Sequence, residues 1–246
     1  MGLLPQQAMI DAAAWYLQLD HLEREQILES RWEMLRSSAP PGEPAFLDRL
    51  AAASPAPGGG SAAATAAAMA AALAGMVARL TVGKKKYAPM ESRMQAVAAA
   101  ADDLRRRLSA AVNDDAAAFE AVLEATRLPH ATEAEAGARS EAVETATRQA
   151  ARVPLGVALA AADAAELAAE AAEIGNVNAI SDAATAVALA RAAIQAAAWN
   201  VRINAKTLAD QSPVADWEHA LGAAAQRAQM AEQRVTDALK ARAGLG

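Results

Sequence analysis

Apolar positions in this chain recur at helical spacing nearly from end to end, and no segment reads as a strand. In residues 4–37, Leu19, Leu22, Ile27, Leu28 and Trp32 stand at helical intervals among charges. This predicts a helical arm that packs on the body or on a second subunit, or that offers Trp15, Tyr16 and Trp32 as anchors to another protein. The run Ser37-Ser38-Ala39-Pro40-Pro41-Gly42 stops it. A short helix over Phe46–Ala53 follows, then Ser54-Pro55-Ala56-Pro57-Gly58-Gly59-Gly60-Ser61, whose prolines and consecutive glycines exclude a regular element. Ser61 is placed to cap a helix running to about Leu80. On that helix Met69, Leu73, Met76 and Leu80 form the expected core stripe. Ser61, Thr65, Ala68, Ala72 and Gly75 form a second stripe, small enough for a neighbouring backbone to approach. Gly83 is a stop, with Lys84, Lys85 and Lys86 at the negative end of the helix.

A second long helix is predicted over 90–125, with Met94, Val97, Ala101, Leu104, Leu108, Val112, Phe119 and Val122 mostly at core spacing. A third covers 132–152, and Pro154 separates it from a fourth over 155–173. A fifth opens at Gly175-Asn176-Val177-Asn178-Ala179-Ile180-Ser181-Asp182 and runs to about Leu208. A last one ends near Ala243 after the breaker Asp210-Gln211-Ser212-Pro213. The expected fold is all-α: a bundle of five or six mostly antiparallel helices over residues 45–246, preceded by a helical arm and linker over 1–44.

Composition narrows the function classes. Apolar residues make up 54% of the chain but aromatics only 3%, so hydrophobicity comes from alanine, leucine and valine, which suits closely packed helices. Alanine-rich runs such as 62–74 carry too little transfer energy for a membrane anchor, and no basic leader with a leucine-rich core opens the chain; a cytoplasmic protein without membrane association is expected. The absence of cysteine excludes disulfides and thiolate zinc sites, and three scattered histidines make a metal centre an unexpected feature. A net charge of −6 offers no footprint for nucleic acid.

Against alanine surfaces, polar side chains at regular spacing stand out. On the fifth helix Asn178, Asp182, Thr185, Ala192, Ala196 and Asn200 fall within about 40° of one line, opposite Ile180, Val187, Ile194 and Val201. Asn176 or Asn178 alone is explained equally well as a helix cap, whereas Asp182 lies a turn inside. Asp115 shares a face with Phe119 at i+4, so its carboxyl adjoins apolar surface, a setting suited to proton transfer. Taken alone, an acid on a helix is more often simply solvated. The glycine run is compatible with backbone approach by a ligand, or with a plain loop. The lysine run is compatible with a polyanionic substrate, or with a solvated face.

Together and in order, three stretches resemble the cyclodeaminase domain of formiminotransferase-cyclodeaminase and the stand-alone methenyltetrahydrofolate cyclohydrolases. They are Phe46-Leu47-Asp48 through the glycine run to Leu80-Thr81-Val82-Gly83-Lys84-Lys85-Lys86-Tyr87, then Asp115-Ala116-Ala117-Ala118-Phe119, then Gly175 to Asp182; Asn200-Val201-Arg202-Ile203-Asn204 fits as well. The likeness covers roughly residues 45–240. It implies a helical homodimer with a tetrahydrofolate derivative as substrate and no further cofactor. Asp115 and Asp182 are the implied catalytic acids, and Gly58, Gly59, Gly60, Ser61, Lys84, Lys85, Tyr87, Asn178 and Ser181 the implied substrate contacts. His130 departs from the lysine that the family tends to carry after the Leu-Pro pair, which implies weaker or more pH-dependent binding of a glutamate tail.

The resemblance implies one of two reactions at the same carbon: hydrolysis of 5,10-methenyltetrahydrofolate to the 10-formyl form, or cyclisation of 5-formiminotetrahydrofolate with release of ammonia. No formiminotransferase segment lies in this sequence, which tilts the expectation to the cyclohydrolase. A non-catalytic binding or scaffold protein on the same fold is the reading of a different class.

Overall fold

A computed structural model describes Ala12, residues 15–18 and residues 46–245 of the chain. Trp15, Tyr16 and Leu17 are helical and exposed, while the remaining positions of the predicted arm, Leu19, Leu22, Ile27, Leu28 and Trp32 included, lie outside the described residues. The chain divides into two compact units, Met1–Leu47 and Asp48–Gly246.

The described elements are all helical: α1 (Phe46–Ala51), α2 (Gly59–Arg79), α3 (Glu91–Thr126), α4 (Glu133–Ile174), α5 (Ile180–Ala205) and α6 (Val214–Ala238). Short 3₁₀ turns at Lys85–Met90 and Val177–Ala179 introduce α3 and α5, and a π turn, Leu239–Ala243, ends α6. No strand occurs among the described residues, in keeping with the all-α expectation.

The core is built almost wholly of alanine. On α2 the buried residues are Ala63, Ala64, Ala67, Ala70, Ala71, Ala74, Val77 and Ala78, while Met69, Met76 and Leu80 are 47%, 36% and 44% exposed. Of the predicted core stripe of α2, Met69, Met76 and Leu80 therefore face outward, and Leu73 alone packs, partly buried, against the core. Where many helices meet side by side, the face without bulk is the one that packs, since small side chains let backbones approach and gain dispersion contacts over their whole length. Gly75 belongs to that face: a Cβ there would stand 3.2 Å from the Ala101 Cβ of α3. On α5, Ile180, Val187, Ile194 and Val201 are buried as the spacing predicts. On α3 the core stripe holds through Leu108, after which Phe119 and Val122 leave the core.

Two further boundaries differ from expectation. Gly59 and Gly60 are helical, so Ser61 lies inside α2 and Gly58 occupies the cap position without a side-chain cap. Pro154 does not separate two helices: α4 runs through it unbroken, with Pro154 buried. Proline at that position removes the N–H that would bond the Ala150 carbonyl, and Asn204 of α5 replaces it by donating its Nδ2 to Ala150 O at 2.9 Å. The start of α4 is fixed by a capping box, Thr132 with Glu135.

Helices α2 and α5 lie side by side and antiparallel. Gly59, at the start of α2, packs on Asn200, near the end of α5. Thr81, just past α2, accepts a hydrogen bond from the Asn176 N–H, just before α5, at 2.8 Å. Both helices are long and apolar enough by composition to cross a bilayer, but their alanine faces are buried inside the bundle. Arginine–carboxylate pairs tie the outer faces of α3, α4, α5 and α6: Arg93 with Glu170, Arg227 with Glu166 and Asp163, Arg234 with Glu173, and Arg202 with Glu218.

Candidate active site at the start of α2

The side chains that can do chemistry gather where α2 begins, α3 passes and α5 ends. Ser61, fully buried, directs its hydroxyl to Asp115 Oδ2 at 2.9 Å and to the Val112 carbonyl at 3.1 Å, so its single proton serves either acceptor. The carboxylate is seated directly on Gly60: a Cβ at that position would come within 2.0 Å of Asp115 Oδ1. This explains why α2 starts on glycines. Helical Gly60 leaves room for Asp115, and the N-terminal end of α2, with its unpaired N–H groups, adjoins a negative charge.

A cleft of about 350 Å³ opens on this pair. Its walls are Pro55, Ala56 and the glycines on one side, Phe119 and Val122 of α3 on another, and Asn200, Ile203 and Asn204 of α5 on the third. The amides are held from behind. Asn200 donates Nδ2 to Ala196 O at 2.9 Å and Asn204 donates to Ala150 O, leaving an acceptor Oδ1 on each. A half-buried carboxylate with a hydroxyl donor, an apolar wall and two anchored amides is an arrangement able to take and return a proton beside a flat, polar–apolar molecule.

Two larger clefts carry less chemistry. One of about 550 Å³ between α3, α4 and α6 is lined by Arg93, Glu166, Glu170 and Arg234, whose charges already pair with one another or with Arg227 and Glu173. Another, about 710 Å³ between α5 and α6, is lined by Trp199 and Arg202, with the guanidinium 5.5 Å from the indole centroid and bonded to Glu218. Neither contains an acid free of arginine.

The remaining sequence candidates stand at the other end of α2. Asn176, buried, donates to Leu80 O at 3.2 Å and accepts from the Asn178 N–H at 3.2 Å. Tyr87 is also buried, and its hydroxyl accepts from the Val177 N–H at 3.1 Å. That bond, followed by the nearby Lys86 cation, holds the phenol below its ordinary pKa. Arg242 reaches in to donate to the carbonyls of Ala172 and Gly175. Asn178 and Ser181 are exposed, Asp182 is half-buried, and Lys84 and Lys85 are solvated. From Asp182 to Asn200 is about 27 Å of helix at about 1.5 Å per residue. One chain thus unites Gly58, Gly59, Gly60, Ser61 and Asp115, and keeps Lys84, Lys85, Tyr87, Asn178, Ser181 and Asp182 apart from them.

Asn204 and Ile203 are walls that sequence reasoning did not single out. The i, i+4 pair Asn200 and Asn204 was visible on α5, but its meaning depends on Pro154, a contact 54 residues distant in the chain between Asn204 and Ala150.

Fold and cleft define a class: an all-helical small-molecule site organised around one hydroxyl-anchored carboxylate. Residues 44–223 match the family model described as formiminotransferase-cyclodeaminase. A methenyltetrahydrofolate cyclohydrolase from Methylorubrum extorquens is 40% identical over 68% of this chain and 80% of its own length. The mouse formimidoyltransferase-cyclodeaminase is 31% identical over 98% of this chain, which spans 50% of that relative. Among solved structures, a formiminotetrahydrofolate cyclodeaminase from Thermotoga maritima superposes with a TM-score of 0.71 at 33% identity, covering 79% of this chain and 93% of that one. The chain belongs to the formiminotransferase-cyclodeaminase family.

Proposed function

We propose that this protein is a 5,10-methenyltetrahydrofolate cyclohydrolase, interconverting the 5,10-methenyl and 10-formyl forms, and that it works as a cytoplasmic homodimer without metal or redox cofactor. The observation that carries the reading is Asp115 on Gly60, bonded by Ser61, at the mouth of an apolar cleft. The match to the Methylorubrum extorquens cyclohydrolase supports the choice of reaction.

The chemistry needs one proton carrier. Water adds to the amidinium carbon between N5 and N10 while Asp115 takes one of its protons, giving a neutral carbinolamine. The protonated Asp115 then returns that proton to N5 as the carbon–N5 bond breaks. The hydroxyl proton leaves to solvent, and the carbon remains on N10 as a formyl group. Ser61 steadies the carboxylate through both transfers, and the carboxylate attracts the cationic substrate into a site with apolar walls. The Oδ1 atoms of Asn200 and Asn204 are acceptors for N–H groups of the pterin.

The second reading is 5-formiminotetrahydrofolate cyclodeaminase, favoured by the Thermotoga maritima structure. There N10 attacks the formimino carbon, and the same carboxyl delivers a proton to the departing ammonia. Loss of the near-ultraviolet band of 5,10-methenyltetrahydrofolate above the uncatalysed rate is expected. Appearance of that band with ammonia release from the formimino substrate selects the second reading, and silence in both assays rejects the enzyme. Asp115→Asn is expected to lower turnover by about 10²- to 10⁴-fold, the usual share of a general acid–base group, with folate binding retained.

A further inference from the structure

Helix α4 runs for 42 residues and keeps one proline in its interior, Pro154, fully buried. Proline costs a helix interior more than any other residue, because it lacks the N–H and its ring presses on the carbonyl four residues back. Here that carbonyl is Ala150 O, and Ala150 is also a wall of the Asp115 cleft. Of the two asparagines that α5 presents to the cleft, Asn200 turns its Nδ2 onto its own helix, at Ala196 O. Asn204, one turn later, instead reaches across to α4, where its Nδ2 stands 2.9 Å from Ala150 O. It meets there the carbonyl that the proline has left without a helical donor.

An asparagine amide turned by half a rotation exchanges a donor for an acceptor, and its bonding partners decide which atom faces outward. A carbonyl accepts and never donates. One that proline has freed and pushed off the helix axis therefore holds the nitrogen of Asn204 and leaves Oδ1 for the cleft. Pro154 does not itself line the cleft, so its effect on a ligand passes through Asn204. Resting on the proposed folate reaction, we infer that Pro154 is a positioning residue for substrate recognition: it fixes the Asn204 amide with Oδ1 outward, so that the cleft selects a ring edge donating N–H at that place. The 2-amino and N3–H groups of the pterin form such an edge. With alanine in place of the proline, the N–H of residue 154 closes the helical bond to Ala150 O, and the Asn204 amide is free to present either atom. Helix stability is given up at one residue to hold a donor-selective wall beside Asp115.

Stability and binding should move in opposite directions when the proline is replaced. Pro154→Ala is expected to melt a few degrees higher than wild type. Its KM for 5,10-methenyltetrahydrofolate is expected to rise about 3- to 10-fold, the share of one hydrogen bond, with kcat within about twofold. In the Asn204→Ala background the same replacement should leave KM unchanged, since no amide remains to turn. A fall of melting temperature and kcat together, an unchanged KM in Pro154→Ala, or an equal rise of KM with and without Asn204 overturns the assignment. A readout without activity is the side-chain amide of Asn204 in ¹H–¹⁵N spectra, identified by its absence from Asn204→Ala. Its exchange with water is expected to be slow in the wild type and about 10-fold faster or more in Pro154→Ala, and equal rates overturn the anchor. Loss of that protection in a protein silent with both folates leaves the anchor standing and rejects the folate reading instead.

Discussion

The two ends of α2 carry similar numbers of polar side chains but use them in opposite ways. At the far end Thr81 and Tyr87 accept the N–H groups of Asn176 and Val177, Asn176 donates to Leu80 O and Arg242 to the carbonyls of Ala172 and Gly175, and Thr81, Asn176 and Tyr87 are closed to solvent. At the near end Ser61 and Asp115 bond each other, and the carboxylate still faces a cleft. The first arrangement binds side chains to backbone and so fixes geometry; the second leaves acceptor capacity unspent and so can react. Asn178, exposed, and Asp182, half-buried, follow directly on this closed knot.

The sharpest way to break this contrast is at the glycines. Within a helix, alanine for glycine is normally stabilising by about 0.5–1 kcal/mol. Gly60→Ala places a methyl 2.0 Å from Asp115 Oδ1, so the carboxylate must leave its seat. Turnover is expected to fall about 10²-fold or more, as when an acid–base group is misplaced. Gly59→Ala meets Asn200 at 3.5 Å, an ordinary contact, and is expected to keep most of the rate. Steady-state kinetics on the two neighbours, with circular dichroism to show both folded, checks the pair; equal effects would mean that Asp115 does not need its seat.

At the closed end the expected loss is in stability. Thr81→Val removes the acceptor of the buried Asn176 N–H and the donor to Val77 O, at a cost of about 1–3 kcal/mol. Denaturant titration should show it, with the proton-transfer step at Asp115 unchanged in pH profile. Asn204→Ala lies between the two behaviours. It orphans the Ala150 carbonyl that Pro154 already deprived of its helical partner, for a similar or smaller loss of about 1–2 kcal/mol, and it removes a cleft wall, so KM is expected to rise along with the stability change.

Much of this architecture was legible in the sequence because helical periodicity is local. The buried line Ile180, Val187, Ile194 and Val201 and the polar line opposite it follow from spacing alone. What escaped depended on partners distant in the chain. Pro154 reads as a break unless Asn204 is known to satisfy Ala150. Met69 and Met76 read as core unless the neighbours are known to be alanine-faced too. Ser61 reads as a cap unless Asp115 is known to sit on Gly60. Asp115 itself was one acid among many by spacing and was singled out by resemblance. The cleft around it needed the amides of α5, which only the fold brings opposite.

The smallest expected effect concerns how the open end is held. The turn after α5 is tied to α4 by Glu144, which accepts the N–H groups of Ala209 and Asp210, and by Arg148, which donates to Glu144 and to Asp210 at 3.0 Å. The Ser212 backbone N–H, then its side chain and Arg148, draw Asp210 down from 3.8 to about 2, and Glu144 is lowered chiefly by the Ala209 N–H. A carboxyl whose folded value is depressed contributes stability above its unfolded value and loses that contribution as pH falls through the folded one. For Asp210 the window is therefore from about pH 4 down to about pH 2, and nothing changes near neutrality. The group is solvated, so the contribution is small. Asp210→Asn is expected to flatten the acid limb of thermal stability in that window and to leave the melting temperature at pH 7 within a few degrees of wild type. An unchanged acid limb would mean that the turn, and with it the Asn204 wall one turn earlier, is held by Gln211, which bonds Ala205 O and Leu208 O, and not by the ion pair.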